Sequence, residues 1–84
     1  MIKDSIVVYT SDRCPYCYHL KKWFNDNDIK FTEKNLSKNP NYLLELEQRQ
    51  IKNIPVTIFI DTNGQEKYIV GLNKKKLKQM LNVR

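Results

Sequence analysis

The stretch Ser5-Ile6-Val7-Val8-Tyr9-Thr10-Ser11-Asp12-Arg13-Cys14-Pro15-Tyr16-Cys17 changes pattern abruptly half-way along. Residues 5 to 11 are rich in β-branched and aromatic side chains, the composition of a short strand buried on both faces. Pro15 has the fixed φ that suits a first helical position. Cys17, Leu20 and Phe24 then recur at helical spacing, which predicts a helix over 15–26 with one apolar face. A strand running into a helix, with C-x-x-C at the junction, is the context in which two cysteines read as a redox pair.

Two residues between the cysteines put both sulfurs on the first helical turn, within reach of a disulfide. Cys14 lies where unpaired backbone amides and the positive pole of the helix favour an anion, so a thiolate is favoured there, with Arg13 adding positive charge. The thiolate is the attacking species in thiol-disulfide exchange. Cys17, one turn inside on the apolar face, is expected to be shielded and to react second. An inert staple is a weak alternative, because a disulfide closing so small a loop restricts the unfolded chain little. Zinc is also weak: a structural site wants four ligands, and beyond the two cysteines the chain has one histidine, His19, expected on the exposed side of the helix. No metal ligand set is assigned. An iron-sulfur cluster bridging two chains through Cys14 stays open as an alternative.

Outward from this junction, Asn25-Asp26-Asn27-Asp28 ends the helix, and Ile29-Lys30-Phe31-Thr32-Glu33 alternates apolar with polar as a second strand does. Asn39-Pro40 reads as an N-cap and a first-turn proline opening a helix through Leu43, Leu44 and Leu46 to about Gln48. Ile54-Pro55-Val56-Thr57-Ile58-Phe59-Ile60 is the clearest β run. Asn63-Gly64 is a strong hairpin signal, so a fourth strand at 66–70 should return antiparallel. Gly71 ends it, and Asn73 caps a last helix with Leu77, Met80 and Leu81 on one face. The order β-α-β-α-β-β-α predicts an α/β fold: a mixed four-stranded sheet flanked by three helices, a parallel pair from the β-α-β unit and two antiparallel strands from the hairpin. That topology brings three loops to one end of the sheet: Ser11 to Tyr16, Lys52 to Pro55, and Gly71 to Asn73.

Eighty-four residues, 40% hydrophobic and 29% charged, make one small domain spanning 1–84, able to bury a modest core and unlike a disordered tail. The net charge of +6 is uneven: residues 1–48 carry seven basic and seven acidic side chains, and residues 49–84 carry eight basic and two acidic. Lys74, Lys75, Lys76 and Lys78 suggest nucleic acid as one reading, but no base-reading or stacking motif accompanies them. No apolar run is long enough to span a membrane, and no secretory signal is visible, so a cytoplasmic monomer is expected. There thiols are kept reduced and two cysteines do not form a structural framework.

With Cys14-Pro15-Tyr16-Cys17 after a strand, Ile54-Pro55 at a strand entry and Val70-Gly71 before the last helix, the chain resembles the glutaredoxins of the thioredoxin superfamily over essentially its full length. The resemblance implies a thioredoxin fold, a thiol-disulfide oxidoreductase that maintains redox homeostasis, Cys14 and Cys17 as catalytic residues, and a cis Pro55 facing them. It also implies that the backbone of Ile54 binds the substrate peptide in extended form. Arg13, Tyr16, Lys52, Asn53, Ile54, Pro55, Gly71, Leu72 and Asn73 are the expected substrate-binding residues. No bound cofactor is expected. Glutathione-binding glutaredoxins usually have a lysine a few residues before the first cysteine, where this chain has Ser11 and Asp12. They have Thr-Val-Pro where it has Asn53-Ile54-Pro55, and a Gly-Gly-x-Asp-Asp segment where it has Val70-Gly71-Leu72-Asn73-Lys74. The aspartate that meets the glutathione ammonium in that family corresponds to Lys74, and a cation facing an ammonium is repulsive. These departures count against glutathione as the reductant. The chain is similar to the glutaredoxin-like proteins reduced by thioredoxin reductase, including hydrogen donors of ribonucleotide reductase. The lysines crowd the first turn of the last helix, where the dipole makes cations unfavourable by a few tenths to about 1 kcal/mol each. They are thus expected to serve the selection of an acidic, disulfide-containing protein partner.

Overall fold

The computed structural model describes residues 5–81. Its elements are β1 (Ser5–Thr10), α1 (Pro15–Asp26), β2 (Thr32–Asn35), α2 (Asn41–Gln48), β3 (Val56–Ile60), β4 (Glu66–Val70) and α3 (Lys74–Leu81), in the order expected. The sheet order is β2-β1-β3-β4. β1 and β2 are parallel, with Val7 opposite Thr32, and the β1/β3 and β3/β4 pairs are antiparallel. Tyr9 lies opposite Val56, and Val56 opposite Val70. The end of β1, the start of β3 and the end of β4 therefore share one end of the sheet.

Alternation along β1 divides the core between two faces, as the period of two requires. Val8 joins Leu20 and Phe24 of α1, Ile69 of β4 and Leu77 of α3 on one face. Tyr9 joins Val56 and Ile58 of β3 and Leu46 of α2 on the other. This is why residues 5–11 lack an alternating pattern: both faces of β1 are covered. α3 is anchored by Leu77, fully buried, whereas Met80 is 40% exposed; the side chain of Leu81 lies outside the described residues. Full burial of one leucine is worth about 1.5 to 3 kcal/mol, so the position of α3 depends heavily on Leu77.

Three boundaries depart from expectation. β2 begins at Thr32 rather than Ile29, because α1 unwinds through Asp28 in a left-handed conformation (φ 55°) and the Ile29 amide donates back to the Phe24 carbonyl at 2.9 Å. Ile29 and Phe31 alternate because both pack on the α1 core before the strand starts, with the Phe31 ring 5.1 Å from that of Phe24. β3 begins at Val56, so Ile54 and Pro55 form its entry loop. In α2 only Leu46 is buried, while Leu43 and Leu44 are 46% and 55% exposed. Tyr42, packed against the Tyr9 cluster, takes the inward place instead. α2 begins at Asn41 with Pro40, not Asn39, at its N-cap and no side-chain cap, because the Asn39 side chain accepts from the Asn41 amide at 3.1 Å, ahead of the first regular turn. Asn63-Gly64 sits within a longer turn in which the Asp61 carboxylate accepts from the amides of Asn63 and Gln65, with Gly64 at φ 83°.

Candidate active site

Cys14 is the N-cap of α1, in extended conformation (φ −107°, ψ 105°), with Pro15 following as the first helical residue. An N-cap side chain lies beside amides that have no partner within the helix. Here Cys14 Sγ accepts from the Cys17 amide at 3.1 Å. Cys14 and Cys17 are joined as a disulfide, their Cα atoms 5.2 Å apart. Their burial differs: Cys14 is partly exposed, and Cys17 is 1% exposed on the buried face of α1 with Leu20 and Phe24. A nucleophile stationed there meets solvent and the positive end of a helix dipole, while its partner is shielded by the core.

The Ile54-Pro55 bond is cis, and Pro55 is fully buried. The Pro55 carbonyl accepts from the Gly71 amide at 2.7 Å, just past the last β3/β4 pair. Gly71 has φ 83°, in the left-handed region that a residue with a Cβ occupies at a cost. The loop before β3 and the loop after β4 are therefore tied together at the end of the sheet where β1 leads to Cys14. Ile54 packs its side chain on the Tyr9 cluster and Leu72 on the Val8 cluster, so both anchor their loops from below. The backbone amide and carbonyl of Ile54 enter no loop hydrogen bond among the described residues. Arg13, Lys52 and Asn53 are exposed, and so is Tyr16 at 63%. The Asn73 side chain accepts from the Lys76 amide at 3.1 Å, the expected cap of α3. His19 is exposed, with its ring edge-on to Tyr18 at 5.5 Å. No group of three or more His, Cys, Asp or Glu side chains is placed for a metal among the described residues.

The sequence reading missed what holds the segment before Cys14. Asn35, 8% exposed at the end of β2, donates to Asp12 Oδ1 at 2.9 Å and accepts from the Ser37 amide at 2.8 Å. Ser37 Oγ accepts from the Asp12 amide at 3.0 Å and lies 3.3 Å from Ser11 Oγ. The Leu36 amide donates to the Thr10 carbonyl at 2.8 Å. Below them Thr10 Oγ1 and Lys21 Nζ donate to Glu33 at 2.6 and 2.8 Å. Burial alone would raise the Glu33 pKa, but these hydrogen bonds hold it below the ordinary carboxylate value. A buried asparagine followed by a serine two residues on was the available signal, and it could be read only once β2 was known to end beside β1.

Residues 6–64 match the family model described as Glutaredoxin. The glutaredoxin-like protein NrdH of Lactococcus lactis subsp. cremoris (strain MG1363) is 28% identical over 51 residues, 61% of this chain and 71% of that protein. Among solved structures, the thioredoxin-like protein BC3987 superposes with a TM-score of 0.75 at 23% identity, over 90% of this chain and 99% of the other. NrdH-redoxin from Escherichia coli does so with a TM-score of 0.75 at 18% identity, over 90% and 93%. The fold is thus the thioredoxin fold, with a C-x-x-C pair at the start of its first helix. With the family model covering most of the length, the chain belongs to the glutaredoxin family, as a glutaredoxin-like thiol-disulfide oxidoreductase.

Proposed function

We propose that this chain reduces disulfides in other proteins, with Cys14 attacking and Cys17 resolving, and that a thioredoxin reductase rather than glutathione returns it to the dithiol form. The observation that carries the reading is the N-cap position of Cys14, whose sulfur accepts from the Cys17 amide while Cys17 is buried. In the reduced protein the Cys14 thiolate attacks one sulfur of the target disulfide. The target S–S bond breaks, its other sulfur leaves as a thiolate, and a mixed disulfide joins Cys14 to the target. Cys17 then gives up its proton and attacks Cys14 Sγ. The second target sulfur leaves as a thiolate, and the Cys14–Cys17 disulfide holds the oxidising equivalents. Two electrons have passed to the target. The unused main chain of Ile54 beside cis Pro55 suits an extended target segment, which the exposed Tyr16 and the Gly71-Leu72-Asn73 loop would flank.

Three features support the choice of reductant. Lys74 stands where glutathione-binding relatives have an aspartate, and the first turn of α3 holds no acidic residue. A relative from Lactococcus lactis, 28% identical over 51 residues, is described as glutaredoxin-like protein NrdH. The E. coli NrdH-redoxin of the same fold is described as having a thioredoxin-like activity profile. Among the described residues no helix is long and apolar enough to cross a membrane; we place the protein in the cytoplasm as a monomer of one domain, without nucleic acid or a bound cofactor, supporting thiol balance.

The test follows reduction of a model protein disulfide with NADPH and thioredoxin reductase, and separately with glutathione, its reductase and NADPH. Turnover with the first source and little with the second is expected. Turnover with glutathione alone would remove the assigned reductant. If protein reduced beforehand by dithiothreitol failed to reduce the disulfide, the reductase reading itself would fall.

A further inference from the structure

The cations of this protein divide into two populations. Lys21, Lys22, Lys34 and Arg49 each pair with a carboxylate, Glu33, Asp26, Glu45 and Glu66 respectively. Arg13, Lys30, Lys38, Lys52, Lys67, Lys74, Lys75, Lys76 and Lys78 are exposed, and among the described residues none of them forms a salt bridge. Lys30, ahead of β2, and Lys67, early in β4, lie toward the opposite end of the sheet, but most of the unpaired group gathers at the redox end. Each of the three loops at the redox end of the sheet carries or adjoins part of it: Arg13 precedes Cys14, Lys52 precedes the Pro55 turn, and Lys74 to Lys76 follow the Gly71 loop.

Few carboxylates offset these charges: Asp12, beside Arg13, keeps its own negative charge because its partner Asn35 is a neutral amide. Asp12 accepts from Asn35 through Oδ1 and is held by its amide to Ser37. The two acidic residues of the second half lie at the far end of the β3/β4 hairpin, Asp61 in its turn and Glu66 opposite Ile60 and paired with Arg49. The loop bearing Lys74 is fixed to the site by the Gly71 amide on the Pro55 carbonyl, so the charge stays close to the cysteines. Three lysines in a first helical turn oppose the dipole, so local helix stability does not account for them.

We infer that this unneutralised rim is a selectivity surface for targets whose disulfide is flanked by acidic side chains. The inference rests on the disulfide-reductase reading and adds the class of its substrate. Complementary charge raises the encounter rate, and like charge suppresses the wrong partner.

The test uses two synthetic disulfide peptides of one length and spacing, with Asp and Glu or with Lys and Arg around the cysteines, and a small uncharged disulfide as reference. The protein, reduced beforehand, should reduce the acidic peptide about tenfold faster than the basic one at low ionic strength. That ratio should shrink steeply between about 50 and 200 mM salt. In the variant Lys74→Gln/Lys75→Gln/Lys76→Gln the ratio should fall most of the way to one while the rate on the uncharged disulfide is kept. Equal rates on the two peptides, or a ratio that survives in the triple variant, would overturn the inference. A protein inactive on the uncharged disulfide would instead overturn the reductase reading. Anisotropy of a labelled acidic peptide on the oxidised protein then still decides the charge question: lysine-dependent binding supports the surface, and none refutes it. Duplex DNA bound at about 150 mM salt in preference to the acidic peptide would make the patch a nucleic-acid surface and refute it as well.

Discussion

The Gly71 amide donates to the Pro55 carbonyl at 2.7 Å, linking two loops 16 positions apart in sequence, one residue beyond the pairing of Val56 with Val70. Since Gly71 holds φ 83° with open space around its Cβ position, Gly71→Ala tests the backbone rather than a steric clash. The expected cost is about 1 kcal/mol of stability, read by urea denaturation. Reduction of a protein disulfide should slow more than that of a small one, because the larger target needs both loops in place.

Cys17→Ser should stop the reaction at the mixed disulfide, giving a covalent adduct through Cys14 of the mass of protein plus target. Cys14→Ser should give neither adduct nor reduction. In the reduced wild-type protein at neutral pH, iodoacetamide should modify Cys14 well before the buried Cys17. Equal modification of the two would contradict the assigned order of attack.

Asn35→Ala removes the donor to Asp12 and the acceptor of the Ser37 amide from a site 8% exposed. Buried groups left unpaired cost about 1 to 3 kcal/mol, so the variant should be measurably less stable. The segment before Cys14 should also loosen, seen as faster amide hydrogen exchange at Asp12 and Arg13 with little change in β4.

Glu66 is held down to about 2 by the hydrogen bonds of Arg49 first and of Tyr68 second, Arg49 lying 3.0 Å away on both carboxylate oxygens. A carboxylate with a depressed folded value contributes stability that is complete above its unfolded value, about 4.3, and is lost as pH falls through the folded one. With roughly a quarter of each side chain exposed (28% and 26%), screening reduces the contribution to about 1 kcal/mol. Glu66→Gln should therefore lower the urea midpoint at pH 7, and the gap from wild type should close as pH falls from about 4 towards 2. A gap independent of pH would show that packing, not charge, explains the loss.

Much of the fold was legible because its signals are local. Proline after Cys14 and the spacing of Cys17, Leu20 and Phe24 specify α1 without reference to the rest of the chain, and the 66–70 return follows from Asn63-Gly64. Legibility failed where a residue's role is set by a distant neighbour. Ile29 and Phe31 have the period of a strand but serve the α1 core, while Leu43 and Leu44 have the apolar character of a core but face outward, leaving Tyr42 and Leu46 to meet Tyr9.

The catalytic pair follows the same division. That Cys14 caps a helix with Cys17 one turn behind is a consequence of four consecutive residues, since the geometry of a first helical turn is fixed by backbone hydrogen bonds of short range. What only the tertiary structure decided is the surround. β1/β3/β4 register brings Pro55 to Gly71, the end of β2 gives Asp12 its partners Asn35 and Ser37, and ion pairs formed elsewhere leave the cations at the redox end unneutralised. Each of these depends on which strand lies beside which, and strand pairing joins residues by spatial neighbourhood rather than by their spacing along the chain.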